Sequence, residues 1–160
     1  MGIVPRKRRK RHPLQDVKRG VVLFLLFLGL STITHETFHL LAGRFLGYHP
    51  EVFYGVGFPN VYGYVKLDRP CESPLHKLII FSAGGIGTAV VLLALWSALE
   101  DIVAKLLLSF FTFMQLAYGV LEPLYAWDVL GVEWLGVLPI LVGMLALVTF
   151  RLVYARLGWW

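Results

Sequence analysis

The sequence predicts an all-α membrane protein, with about four transmembrane helices and a small membrane-associated β-hairpin between the first and the second. Three observations carry this reading. Hydrophobic residues make up 58% of the 160-residue chain and its mean hydropathy is +0.70, too apolar for a soluble domain of this size. The apolar residues gather in four runs, at about 20–46, 75–99, 104–127 and 132–153, each matching the roughly 20 residues that cross a bilayer. Between the first and second runs, at about 50–68, the texture changes to aromatic and β-branched residues.

Residues 1–19 form a basic tail, with Arg6-Lys7-Arg8-Arg9-Lys10-Arg11 followed by Lys18 and Arg19. Beside a spanning segment such a run anchors to anionic headgroups and sets topology, so no nucleic-acid partner is expected. The apolar stretch behind it is too long for a cleavable signal. The core occupies 20–156. In the hairpin, 52–58 and 61–67 read as strands separated by Pro59-Asn60, which is turn chemistry. Glu100, Asp101 and Lys105 mark a polar turn between the second and third spans. Arg151 and Arg156 close the fourth near Trp159 and Trp160, an interfacial anchor. Cys71 is the only cysteine, so no intrachain disulfide exists.

The chemistry lies in the first span. Ahead of Arg44, the ionisable side chains of the run that starts at Val21 are those of His35, Glu36 and His39. Burying a charge at membrane depth costs at least ~2.5–3.5 kcal/mol, so such a cluster marks a functional site. On a helix, His35 and His39 are i and i+4 neighbours on one face, the spacing that puts two imidazoles on one zinc ion, with Glu36 placed to polarise a water. A catalytic zinc takes three protein ligands. The expected third is Asp128, which follows the third span, where Pro123 would interrupt the helix and let Asp128 turn inward. Glu122 and Glu133 are the alternatives; His49 and His76 flank the hairpin, where solvent can satisfy them.

His35-Glu36-x-x-His39 with Ala42, Arg44 and Gly47, then Ser82-Ala83-Gly84-Gly85-Ile86-Gly87-Thr88, then Pro123 and Asp128 occur in that order. In this the chain resembles the site-2 protease family of intramembrane zinc metalloproteases, over roughly residues 20–130. It departs from the family pattern at Phe38, where Gly is usual, at Gly85 and Thr88 in the second motif, and at Val120 and Val129 around the third. The resemblance implies a zinc metalloendopeptidase with one zinc per chain, cleaving transmembrane protein substrates in or near their spans, in the cell membrane of a prokaryote. Glu36 would be the general base, and His35, His39 and Asp128 the ligands. Gly63, Tyr64 and Val65 in the hairpin are expected to hold an extended substrate by strand addition.

A polar path must bring water to the site; Thr32, Thr34 and Thr37 are candidates to line it, although such threonines more often bond their own backbone. Alternative functions are a membrane metal-binding or transport protein and an inactive protease homologue. Positive-inside counting puts the N-terminus in the cytoplasm and the hairpin outside, whereas the family resemblance implies a hairpin on the cytoplasmic side.

Overall fold

A computed structural model of the chain describes residues 13–57 and 60–158. The elements run α1 (Pro13–Phe45), β1 (Glu51–Gly57), β2 (Asn60–Lys66), α2 (Pro74–Ala98), α3 (Ile102–Ala126) and α4 (Val132–Arg156). All four helices are long and apolar enough to cross a membrane, which fits a multi-pass membrane protein. The hexabasic run, Pro59 and the terminal tryptophans lie outside the described residues.

Helix α1 begins at Pro13, well before the apolar run. Hydropathy marks where the chain enters lipid, not where helical hydrogen bonding starts; a proline preset at the first turn and Asp16 near the positive end of the dipole suit that start. The helix ends in a Schellman turn. Tyr48 N–H donates to the Gly43 carbonyl and Gly47 N–H to that of Arg44, each at 3.0 Å, with Gly47 at φ 82°. This turn redirects the chain into the hairpin.

The hairpin is antiparallel, with Val52 opposite Val65 and Tyr54 opposite Gly63. The Phe53 and Tyr64 rings stack across it at 5.1 Å. Asn60, expected in the turn, already belongs to β2, opposite Gly57. Two bonds close the base of the hairpin: His49 N–H donates to Asp68 Oδ1 at 3.0 Å and Arg69 donates to the Gly47 carbonyl at 3.1 Å.

Side-chain caps start the next two helices. Ser73 accepts from the His76 amide with Pro74 in the first turn of α2, and Asp101 accepts from the Ala104 amide at 2.9 Å to open α3. Arg19 reaches Asp101 at 2.8 Å, tying the entering end of α1 to the α2–α3 turn.

Helix α3 is the centre of the bundle: 56% of its most apolar window is buried, against 11% for α1. It packs on α1, α2 and α4, while α1 and α4 do not touch among the described residues. The apolar core joins Phe27 of α1, Leu92 of α2 and Ala104, Leu108, Phe110, Phe111 and Met114 of α3. Helices α2 and α3 approach backbone to backbone at Gly85 and Gly119, where a methyl group on either would strike the other helix. Phe38, the bulky departure from the family pattern, lies against Gly87 of α2, whose missing side chain makes its room.

Candidate metal centre

Helical spacing alone sets His35 and His39 side by side. Their rings stand edge to face with centroids 4.6 Å apart, and both residues are buried, 8% exposed each. Their Nε2 atoms lie 2.9 Å from one another. The third group beside them is Glu122 of α3: its Oε1 is 3.0 Å from His35 Nε2 and its Oε2 is 3.3 Å from His39 Nε2. One donor atom from each of the three residues falls within a 4.8 Å cluster.

The other ring nitrogens decide what those Nε2 atoms can do. His35 Nδ1 faces Gln115 Oε1 at 2.7 Å, and His39 Nδ1 faces the backbone carbonyl of Ile80 at 2.6 Å. Both partners are acceptors, so each Nδ1 carries the proton and donates. That tautomer leaves each Nε2 with a bare lone pair. Two lone pairs and a carboxylate therefore converge without a donor among them. The arrangement is repulsive until a cation sits there; a proton satisfies one pair, a metal ion all three. Glu122 Oε2, buried without a hydrogen-bond partner, is the atom that such an ion would satisfy.

The donor set fits a first-row metal. Tetrahedral ligands at about 2.0–2.1 Å from a metal stand ~3.3 Å apart; here the two Nε2 atoms are 2.9 Å apart, one Glu122 oxygen is 3.0 Å from His35 and the other 3.3 Å from His39. Two imidazoles with one carboxylate suit zinc or iron rather than calcium or magnesium, which take oxygen ligands. Hydrogen bonds from ligand histidines to an amide oxygen and a backbone carbonyl are the outer shell that metal sites use to aim imidazoles.

Asp128 is not part of this centre. It is exposed, at φ 59°, one residue past the C-cap Trp127. Asp128 N–H donates to the Tyr125 carbonyl and Val129 N–H to that of Leu124, both at 2.9 Å. These two bonds form a Schellman turn with Asp128 as its left-handed residue, so Asp128 ends α3. The expected break at Pro123 does not occur; α3 runs through this buried proline to Ala126. Glu122 thus stays on the helix, facing the bundle, while Asp128 falls outside it. Glu133 is exposed in the first turn of α4.

Glu36 is buried and lines a cavity of about 210 Å³ with His35, His39 and Glu122. Gly63, Tyr64 and Val65 of β2 form one wall of that cavity. Glycine is needed at 63, because a methyl group there would strike the Glu36 side chain, and at 84, where it would strike the His39 ring. A second cavity, about 410 Å³, also reaches His35, Glu36, Gly63 and Glu122 and runs past Ser31, Thr32, Gln115 and Tyr118. Of the threonines proposed for a water path, Thr32 lines this cavity, while its hydroxyl and that of Thr37 donate to the carbonyls four residues back. Val120 and Val129 are exposed and line neither cavity.

Sequence reasoning missed Gln115 and ranked Glu122 below Asp128. A signal was present: Ser109, Thr112, Gln115 and Glu122 fall three, three and seven residues apart in an otherwise apolar span, which puts them along one helical stripe. The first three are buried. Compared with family models, with curated proteins and with solved structures, the chain matches none of them.

Proposed function

We propose that the chain is an intramembrane zinc metalloprotease, hydrolysing peptide bonds in or near the spans of membrane-protein substrates, with His35, His39 and Glu122 as the zinc ligands. The observation that carries this reading is the convergence of two imidazoles, each with Nδ1 facing an oxygen, and a carboxylate beside Glu36, on a cavity within apolar helices. The reading agrees with the sequence resemblance to the site-2 protease family except in the third ligand, which is Glu122 in place of an acid at Asp128. When bound, zinc supplies Lewis-acid polarisation of a carbonyl and of a water molecule.

The residues do the rest. Glu36 takes a proton from the attacking water on its carboxylate and returns it to the leaving amine nitrogen. A helical substrate must first unwind, because its carbonyls are held in i to i−4 hydrogen bonds. Strand β2 borders the cavity through Gly63, Tyr64 and Val65, and each strand of a two-stranded sheet keeps an unpaired edge for an extended segment. The apolar walls formed by Ile80, Phe81 and Leu135 limit bulk water around the reacting bond.

The test pairs wild type with Glu36→Gln, each reconstituted and assayed for bound metal and for cleavage of a single-span peptide carrying Gly or Pro. Glu36→Gln keeps the zinc content of wild type and loses ~10²–10⁴-fold in cleavage. Equal cleavage by both proteins, or none by a zinc-loaded wild type across a varied panel, would exclude the protease reading. Metal transport, with flux and no peptide product, would replace it.

A further inference from the structure

Gln115 and Ser31 do not line the 210 Å³ cavity walled by Gly63, Tyr64 and Val65, yet both are almost fully buried, at 4% and 1% exposed. Gln115 Nε2 donates to Ser31 Oγ at 2.7 Å, and its Oε1 accepts from His35 Nδ1 at the same distance. We propose that Ser31 and Gln115 are positioning residues that select the tautomer of His35 and thereby make its Nε2 available to zinc. The inference rests on the metal reading above.

A carboxamide has two ends of nearly the same shape, one an acceptor and the other a double donor. Only the acceptor end keeps the proton of His35 on Nδ1. Turned over, the amide would offer N–H to Nδ1, the ring proton would move to Nε2, and the lone pair that faces His39 and Glu122 would be lost. His39 has no such freedom, since its Nδ1 donates to a backbone carbonyl that cannot turn over. The orientation of Gln115 is thus the variable part of the centre.

Ser31 supports the productive orientation by accepting from the amide NH₂. Without that hydroxyl, the observed orientation leaves a buried N–H orphaned. Turning the amide over exchanges this for an under-satisfied carbonyl, which proteins tolerate more readily. Ser31, two hydrogen bonds removed from His35, therefore acts on zinc binding through the proton of a ligand. The outer-shell effect on affinity is typically ~10–100-fold.

The experiment measures zinc affinity by chelator competition on the purified full-length chain in detergent, for Ser31→Ala, Ser31→Thr, Gln115→Glu and the Ser31→Ala/Gln115→Glu double variant. Ser31→Ala weakens zinc by ~10–100-fold, and Ser31→Thr, which retains the hydroxyl, binds as wild type does. In the Gln115→Glu background the same Ser31→Ala change has little effect, because a carboxylate presents an acceptor at both ends and cannot invert the tautomer. Equal losses in both backgrounds, or none in either, overturn the proposal, since a packing role would not depend on residue 115. Nitrogen NMR of ¹⁵N-histidine-labelled protein gives a reading without metal: His35 is Nδ1-protonated in wild type and Nε2-protonated in Ser31→Ala. A wild type that binds no zinc but shows this tautomer change rejects the metal reading and keeps the positioning one; an unchanged tautomer rejects positioning.

Discussion

At the scale of single residues, the centre depends on which atoms are left without protons. His35 and His39 become a matched pair because their Nδ1 atoms are spent on Gln115 and on the Ile80 carbonyl. Glu122 is the residue that turns the pair into a three-donor set. Removing its carboxylate leaves two imidazoles, fewer than the three protein ligands of a catalytic zinc site. Glu122→Ala is therefore expected to lose bound zinc on purification, whereas Asp128→Gly keeps it. The latter change also leaves stability within about 1 kcal/mol, since glycine accepts the left-handed conformation that Asp128 adopts. Elemental analysis of the two variants beside wild type decides between the acids. Zinc retained by Glu122→Ala and missing from Asp128→Gly would restore the assignment expected from sequence.

At the scale of elements, the site is made by close approach. Helix α2 contributes the Ile80 carbonyl to His39 and removes a side chain at Gly84 so that the ring can lie against it. Gly84→Val should displace the His39 ring, with overpacking of about 1–3 kcal/mol, and lower zinc affinity. Gly136→Ala, on α4 where a methyl group meets nothing within 4 Å, is the control and should bind zinc as wild type does. Equal affinity in Gly84→Val would mean that the ring is placed by α1 alone.

The base of the hairpin carries a pH signature. The His49 amide donates to Asp68 and holds its carboxyl below the usual carboxylate range. A lowered folded-state value contributes stability that is present above the ordinary carboxylate pKa, near 4, and lost as pH falls through the lowered value. Asp68→Asn should remove that part of the acid limb in a plot of thermal midpoint against pH. Parallel curves for wild type and Asp68→Asn would show that the bond contributes nothing.

At the scale of the whole molecule, four helices joined by short connections run alternately up and down, so the start of α1, the α2–α3 turn and the end of α4 share one end of the bundle, and the hairpin with the α3–α4 turn the other. The Arg19–Asp101 ion pair joins parts of the first end. Among the described residues, Arg44, Lys66, Arg69 and Lys77 belong to the hairpin end, while Lys18, Arg19, Lys105, Arg151 and Arg156 fall toward the opposite end. By positive-inside bias, the expected orientation has the N-terminus in the cytoplasm and the hairpin outside. Single cysteines at exposed positions 17 and 69, in a background with Cys71 replaced, should differ in labelling by an impermeant reagent in intact cells. Position 69 is expected to react and position 17 to be protected; the reverse pattern would adopt the family's orientation and place the hairpin on the cytoplasmic side.

Much of this was legible before any fold was known. Four apolar runs and an aromatic interlude led to four helices and a hairpin, because lipid leaves the backbone few ways to satisfy its hydrogen bonds. The juxtaposition of His35 and His39 was equally legible: i to i+4 spacing on an obligatory helix leaves little choice. Hydropathy could not show that α1 starts at Pro13, nor that α3 continues through Pro123, since neither changes how apolar the segment is.

The sequence by itself thus determined the spans and the two imidazoles, both consequences of local periodicity. Only the tertiary structure decided the third donor. Glu122 and Asp128 are close in the chain, and which of them meets the histidines depends on the rotation of α3 against α1 and on where that helix ends. The tautomers were likewise beyond the sequence. They rest on a backbone carbonyl of Ile80 and an amide of Gln115 from two other helices, and a main-chain carbonyl is present at every residue, so nothing in the sequence marks the one that a histidine will face.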